Sequence, residues 1–532
     1  MRPIAVLKGA SRSIHPPFHV PNFRASYGCH LARRYLSQNT NGHIAQLLEF
    51  KPDSAAKNVV INGYVRSLSK TKQHRFISLG DGSSSRSLQV VAARELTDGL
   101  SVGTAICLTG SWEPSLGALQ SHELHAEKIE IVGPSNAKTY PIQKKFHTPE
   151  FLRTLPHLRP RTTLNSGLLR LRSQVIASLT NFFAQHHFTQ THPPILTSSD
   201  CEGAGEVFKI TPATEIPSTP SIENRKQPEY FGSTKYLTVS TQLHLEALAL
   251  GVGNVWTLSP VFRAEKSDTS RHLSEFYMLE AEMSFVEELG SVMDLAEAML
   301  RTLSIDLSES AVVQELASRS DREQMGYVSN DQVKQRWEGL KQDSWPRITY
   351  TDAVALIQDK ASLMECKPPV WGEGLQAEHE KFLAEYVGGG SKPVFVVNYP
   401  QDIKAFYMRA SQPPSTNITQ PGQTAPGATV DCFDLLVPEF CEIAGGSMRE
   451  HRLEPLLAAM YKQGLAGNPN AEGQVDNQKA SPLEWYADLR RWGCPPHGGF
   501  GIGFDRLLCY LSGVPTVRDI VAFPRYFGRC DC

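Results

Sequence analysis

Hydrophobic and polar residues alternate in five short segments between positions 59 and 132. The segments are Val59–Val65, Phe76–Leu79, Leu88–Val91, Ala105–Gly110 and Leu124–Ile131. A repeat of two residues is typical of a half-buried β-strand, and the glycines and serines between the segments are typical of turns. Five strands in so short a stretch predict a small β-barrel of the OB-fold type, which binds oligonucleotides on one face.

The pattern changes after position 134. Residues 135–163 are rich in proline and predict a linker, and from Leu164 to the end helical and strand-like segments alternate. We therefore predict an α+β protein with an OB-fold domain at 36–134 and a second, larger domain at 164–532. Two polar stretches, 411–429 and 464–481, lack hydrophobic periodicity and are predicted to be loops without an assigned function.

The first 48 residues contain basic side chains and no acidic ones. Such a leader, without a long apolar run, resembles a mitochondrial transit peptide, and Arg33-Arg34-Tyr35 resembles a cleavage context for a matrix protease. We predict a transit peptide at 1–35. A basic arm that contacts RNA is the alternative.

The composition limits how the chain can bind nucleic acid and what its cysteines can do. The net charge of −2 gives no global basic field, so any nucleic-acid partner must be bound by a local patch. The ten cysteines are scattered without CxxC pairs, which favours reduced thiols over a disulfide framework or a zinc site.

The largest cluster of candidate binding residues lies in a predicted hairpin. Strand-like sequence at 258–262 and 276–279 flanks a polar loop. Arg263, Glu265, Arg271, His272 and Phe276 would line one concave face there. A guanidinium group matches phosphate or carboxylate, a glutamate accepts from an amine, and a phenyl ring stacks on a flat ring. This set predicts a pocket for a nucleoside polyphosphate.

A glycine-rich strand, His497 to Gly503, leads into an apolar helix near Leu507. Glycine lets the backbone approach a ligand closely, and Arg506 would lie near the helix N-terminus, where anions are favoured.

Because of these two segments, the chain resembles a class II aminoacyl-tRNA synthetase. Phe262–Glu265 is similar to the family's motif 2, Gly501–Arg506 to motif 3, and the helix Leu168–His187, followed by a strand carrying Pro194, to motif 1. Several strings resemble the asparaginyl members, which belong to a subgroup with the aspartyl and lysyl enzymes. They are 201–206, 236–243, 270–276, 403–409, 442–447 and Trp485-Tyr486.

The resemblance implies roles for the site residues. Arg263 and Arg506 are the expected catalytic residues, and Mg²⁺ is expected on Asp434 and Glu442. ATP is expected to contact Arg263, Glu265, Arg271, His272, Phe276, Glu442, Gly503 and Arg506. The amino acid is expected to contact Glu202, Ser240, Gln242, Glu275 and Arg449, with Glu275 accepting from a carboxamide. Phe76 and Gln89 are expected to read the anticodon of the tRNA.

The resemblance thus implies a homodimeric mitochondrial-matrix asparagine–tRNA ligase that uses ATP, Mg²⁺, asparagine and tRNA(Asn). Two alternatives stay open: an aspartyl enzyme that also charges asparagine tRNA, and an inactive paralogue that binds RNA.

Overall fold

The computed structural model describes residues 42–71, 74–115, 117, 120–198, 207–212, 229–267, 269–412, 427–465 and 482–532. The chain forms two compact units, the first ending at Lys144 and the second beginning at Lys145. The predicted transit peptide and most of the two predicted loops lie outside the described residues. No helix in the described ranges is long and apolar enough to cross a membrane.

The first unit contains a closed five-stranded barrel. Its elements are helix α1 (Ile44–Glu49) and strands β1 (Ala56–Lys70), β2 (His74–Gly80), β3 (Leu88–Ala93), β4 (Ala105–Pro114) and β5 (His122–Gly133). The strands pair in the order β1-β2-β3-β5-β4, and only the β3–β5 pair is parallel. Ile61, Ile77, Leu79, Val90 and Leu108 fill the interior, so the alternation that predicted each strand is the inward–outward alternation of a barrel.

The second unit is built on a mixed sheet. Its helices are α2 (Pro149–Arg153), α3 (Thr163–Gln185), α4 (Gln242–Val252), α5 (Leu289–Leu307), α6 (Ala311–Ala317), α7 (Asn330–Lys341), α8 (Tyr350–Asp359), α9 (Ala377–Tyr386), α10 (Leu453–Lys462), α11 (Glu484–Arg491), α12 (Phe504–Ser512) and α13 (Val517–Ile520). Its strands are β6 (Thr189–Gln190), β7 (Leu196–Thr197), β8 (Tyr236–Leu237), β9 (Val255–Phe262), β10 (Glu275–Ser284), β11 (Arg347–Thr349), β12 (Val394–Val397), β13 (Cys432–Val437), β14 (Cys441–Met448) and β15 (His497–Gly503).

Eight of these strands form one sheet in the order β11-β12-β13-β14-β15-β10-β9-β6. The six inner strands are antiparallel, and a short parallel strand closes each edge. One face of the sheet packs its apolar side chains, among them Leu279, Ala281, Leu435 and Ile502, in one core with α3, α5, α7 and α12. The α+β prediction is therefore confirmed, and the opposite face is left for the site.

Helix α3 shows how the sequence makes this packing. Thr162 caps it by accepting a hydrogen bond from the Asn165 N–H, and Leu164, Leu168, Leu171 and Val175 recur at helical spacing on the buried face. The predicted strand carrying Pro194 is not present, because Pro194 lies in the loop between β6 and β7.

Candidate active site

A cavity of about 300 Å³ lies on the face of the sheet opposite the helix-packed core. Its floor is a row of residues paired across four strands, Glu280, Gly501, Gly445 and Asp434. A Cβ on Gly501 would lie 2.8 Å from the Met278 Cε. Gly501 and Gly445 therefore leave a trough between the carboxylates of Glu280 and Asp434. Larger residues at these two positions would fill the trough with their side chains.

One end of the trough is positively charged. The Arg263 guanidinium lies 5.9 Å from the centre of the Phe276 ring and 3.8 Å from the Glu265 carboxylate. On the other side of Glu265, the His272 Nε2 lies 3.5 Å from its second oxygen. The Arg506 Nη1 donates to the Glu442 backbone carbonyl at 3.1 Å. A flat apolar ring, a carboxylate and guanidinium groups thus share one wall.

The pKa of His272 reports the same concentration of positive charge. Burial lowers it, and Arg506, Arg271 and Arg263 lower it further, while Glu265 opposes them. A group surrounded by this many cations loses its own proton more readily, and the same field attracts a polyanion.

Asp434 and Glu442 converge above Gly445. A Cβ built on Gly445 would meet the Glu442 Oε1 at 3.3 Å and the Asp434 Oδ1 at 3.6 Å. Burial, followed by the Asp434 charge, raises the pKa of Glu442 to about 7. Two carboxylate oxygens that converge beside one glycine fit Mg²⁺, which is commonly held by one or two carboxylates plus substrate phosphates. Within the described ranges, no group of three or more potential metal ligands occurs.

The other end of the trough carries a buried ion pair. The Arg449 Nη2 lies 2.9 Å from the Glu282 Oε2, and its Nε donates to the Glu282 Oε1 at 3.1 Å. The Arg449 Nη1 donates to the Ser447 hydroxyl at 2.7 Å. Such a forked pair fixes the plane of the guanidinium group, so Arg449 enters the cavity in one orientation.

Behind Arg449 lies a fully buried carboxylate, Glu246. Its Oε2 accepts hydrogen bonds from Arg490 Nη2 at 2.7 Å and from the Tyr486 hydroxyl at 2.7 Å, and lies 3.0 Å from His497 Nε2. Burial would raise the pKa of Glu246, but the Arg490 and His497 charges overcome it and keep the carboxyl ionised. Burial opposes a charged His497, yet hydrogen bonds to Cys494 and Glu246 raise its pKa to about 10.

Two predicted amino-acid contacts meet these carboxylates. The Ser240 hydroxyl donates to Glu280, which also accepts from the Thr241 N–H at 3.1 Å, and the Gln242 Nε2 donates to Glu246 at 3.1 Å. Both side chains line the cavity. They are therefore held by the buried carboxylates beside the Arg449 end.

A family model for class II tRNA synthetases of the D, K and N group matches residues 148–526. The chain belongs to this family. The predicted resemblance to class II synthetases is confirmed, and the matched residues include the two segments that line the cavity, 262–265 and 501–506.

Several similar proteins and solved structures within the family are asparagine–tRNA ligases. The chain is 41% identical over 476 residues to the mitochondrial asparagine–tRNA ligase of Schizosaccharomyces pombe, covering 88% of this chain and 94% of that one. The corresponding Saccharomyces cerevisiae protein is 39% identical over 488 residues, covering 88% and 92%. The crystal structure of Pyrococcus horikoshii asparaginyl-tRNA synthetase complexed with asparaginyl-adenylate aligns with a TM-score of 0.73 and 28% identity, over 92% of this chain and 98% of that one.

The cavity gathers all of the predicted ATP, metal and amino-acid residues except Glu202 and Glu275. Its lining contains Ser240, Gln242, Arg263, Glu265, Arg271, His272, Phe276, Asp434, Glu442, Arg449, Gly503 and Arg506. Gly503 is the N-cap of α12, which brings the backbone of the motif 3 helix to the cavity. Glu202 lies outside the described residues.

Glu275 is not brought into the cavity. Along β10 the lining residues are Phe276, Met278, Glu280, Ala281 and Glu282, whereas Glu275 is exposed and out of step with the alternate positions 276, 278, 280 and 282. Because successive side chains of a strand point to opposite faces, Glu275 belongs to the other face. The structure places Glu282 against Arg449 instead, and Glu280 lines the same cavity.

Sequence reasoning also missed Glu246, Arg490 and Lys404. A signal was available for Glu280 and Glu282, since two acids at alternate positions in an otherwise apolar strand share one face. Helix residues Glu246 and Arg490 gave no such signal, because they meet across 244 positions of the chain.

The predicted anticodon residues lie on the outside of the barrel in the first unit. Ile77 and Leu79 of β2 point inward. Phe76, the residue before Ile77 on the same strand, therefore points outward and is half-buried. Gln89 of β3 pairs with Ser78, one step along the same outer face from Phe76. The two side chains are thus diagonal neighbours on one surface.

Proposed function

We propose that the chain is an asparagine–tRNA ligase that activates asparagine with ATP and transfers it to tRNA(Asn). The observation that carries this is one trough joining a phosphate-binding end to a buried Arg449–Glu282 pair. The likeness to a synthetase complexed with asparaginyl-adenylate supports a site that takes both asparagine and an adenine nucleotide.

In the first step the asparagine carboxylate oxygen attacks the α-phosphorus, and pyrophosphate leaves. Phe276 stacks on adenine, Glu265 accepts from its amino group, and Arg506 covers the opposite ring face. Arg263 neutralises the charge that develops at the α-phosphate, while Arg271 and His272 hold the outer phosphates. No protein nucleophile is required, because catalysis consists of positioning and charge neutralisation.

Asp434 and Glu442 would hold Mg²⁺, whose chemistry here is the neutralisation of phosphate charge. Arg506 also helps to define this end, because its hydrogen bond to the Glu442 carbonyl fixes it beside the carboxylates.

The Arg449 end selects the side chain of the amino acid. Asparagine offers an oxygen to the Arg449 guanidinium and N–H donors to two carboxylates that line the cavity, Glu280 and Glu282. Aspartate would bring a third carboxylate to two buried ones, which is unfavourable unless it takes up a proton. A site built on such hydrogen bonds discriminates by large factors without an editing domain.

In the second step the terminal ribose hydroxyl of the tRNA takes the acyl group and AMP leaves. Phe76 and Gln89 bind the anticodon, the leader directs the enzyme to the mitochondrial matrix, and α3 pairs two subunits as motif 1 does in the family. The two yeast relatives named as mitochondrial ligases support the location. A sedimentation experiment that returns a monomer at micromolar concentration would rule out the dimer.

ATP–pyrophosphate exchange with asparagine or aspartate as the only amino acid tests the proposal. Exchange with asparagine and none with aspartate is expected. Equal exchange with both would identify an aspartyl enzyme that also charges asparagine tRNA. A folded protein that shows no exchange with either amino acid would be the inactive paralogue.

A further inference from the structure

Asp434, a predicted metal ligand, is already paired with a lysine. The Lys404 Nζ lies 2.9 Å from the Asp434 Oδ1 and 2.9 Å from its Oδ2. Both side chains are mostly buried, with 18% and 12% of their surface exposed, and both line the cavity. The ammonium group therefore occupies the carboxylate edge that a metal ion would use.

The surroundings explain why a cation is held there. Glu442 lies across Gly445 from Asp434, and Glu380 of α9 accepts a hydrogen bond from the Glu442 N–H at 3.3 Å. Three carboxylates thus lie close together, and two of them, Asp434 and Glu442, line the trough, so their like charges repel one another. Lys404 offsets one of them while the nucleotide is absent.

In the same position Lys404 makes a second contact, with an aromatic ring. Its Nζ lies 4.0 Å from the centre of the Tyr399 ring, a cation–π contact that does not depend on Asp434. Lysine is a point charge on a flexible four-carbon stem, so a short movement suffices to exchange one anion for another. An incoming polyphosphate would be such an anion.

We propose that Lys404 is a displaceable counter-ion, which holds Asp434 in the free enzyme and releases it to the metal ion when the polyphosphate arrives. This rests on the proposed metal role of Asp434 and Glu442. A divalent ion that arrives alone finds the Asp434 carboxylate already paired with the Lys404 ammonium group. When the ion arrives with ATP, the phosphates of the nucleotide can bind this ammonium group instead and so free the carboxylate. Lys404 thereby makes metal binding conditional on nucleotide, as a positioning residue.

Mn²⁺ binding, measured by electron paramagnetic resonance with and without a non-hydrolysable ATP analogue, tests the proposal. In the wild type we expect weak Mn²⁺ binding without the analogue. Lys404→Met should tighten this nucleotide-free binding roughly 10- to 100-fold, within the range of typical coupling between two ligands. Binding in the presence of the analogue should change much less, so the ratio of the two affinities should shrink.

A static role gives a different result. If Lys404 stays on Asp434 in both states, the variant tightens Mn²⁺ binding equally with and without the analogue, and the ratio is unchanged. An unchanged ratio, or no tightening in either state, overturns the proposal. Lys404→Gln, which keeps a hydrogen-bond donor near Asp434, replaces the methionine variant if that one does not fold.

Two further variants complete the design. Lys462→Met removes a surface lysine that pairs with exposed Asp402, and should leave both Mn²⁺ affinities unchanged. Asp434→Asn should weaken Mn²⁺ binding in both states. If it does not, the metal assignment in the proposed function has failed, which is a different outcome from an unchanged ratio in Lys404→Met.

Discussion

Replacing Phe76 by Ala should weaken tRNA binding and leave amino-acid activation intact. Phe76 points away from the barrel interior, next to Gln89 on the outer face of β2 and β3. Single-stranded bases in RNA loops are read by aromatic stacking together with hydrogen bonds to their edges. Activation takes place in the second unit, so its rate does not depend on this ring.

The structure sets the size of the two effects. Because the ring is only half-buried and lies outside the buried core of the barrel, its loss should lower the free energy of unfolding by about 1 kcal/mol. Loss of a stacked base costs about 1–3 kcal/mol. At 1.4 kcal/mol per decade, the KM for tRNA should rise roughly ten- to a hundred-fold.

The assay compares aminoacylation of tRNA with tRNA-independent ATP–pyrophosphate exchange in the same preparation. Ile77→Ala is the matched control, since Ile77 is the next residue of the strand and is fully buried. That variant should lose about 2–5 kcal/mol of stability, as large-to-small core changes do. If Phe76→Ala instead lowers the melting temperature and both activities together, the ring supports the barrel and the recognition argument fails.

Three further predictions concern activation, pH and location. Arg263→Ala should reduce pyrophosphate exchange about a hundred- to a thousand-fold without unfolding the protein, as loss of one preorganised donor does; near-normal exchange would remove Arg263 from the α-phosphate. Because the pKa of His497 is raised from 6.5 to about 10, its stabilising contribution is complete below pH 6.5 and is lost as the pH rises through 10. The free energy of unfolding should therefore fall as the pH rises through this window, with a slope of up to about 1.4 kcal/mol per pH unit. Denaturant titration of His497→Gln at several pH values should show a smaller slope than the wild type. Equal slopes for the two proteins would refute the charged imidazole. Residues 1–35 fused to a fluorescent reporter should send it to the mitochondrial matrix, and cytosolic fluorescence would contradict the transit peptide.

The sequence by itself determined the strands, turns and helix starts that depend only on residues close together in the chain. Alternation predicted all five barrel strands, although β1 runs on to Lys70, where the polar end of the strand shows no alternation. It also predicted the hairpin of β9 and β10 and the strand-to-helix passage at Gly503, because turns, glycines and periodicity are local properties. The residues of the phosphate-binding end followed, since most of them lie within one hairpin.

Only the tertiary structure decided which groups meet from distant positions. Glu275 is next to Phe276 in the chain, yet the pleat of β10 puts them on opposite faces and gives the cavity Glu280 and Glu282. Arg449 has its orientation from Glu282, 167 positions away. Lys404, which follows the turn Gln401–Ile403 after β12, meets Asp434 from 30 positions away. Such pairs depend on strand register and helix packing, which the whole chain fixes together and no local pattern records.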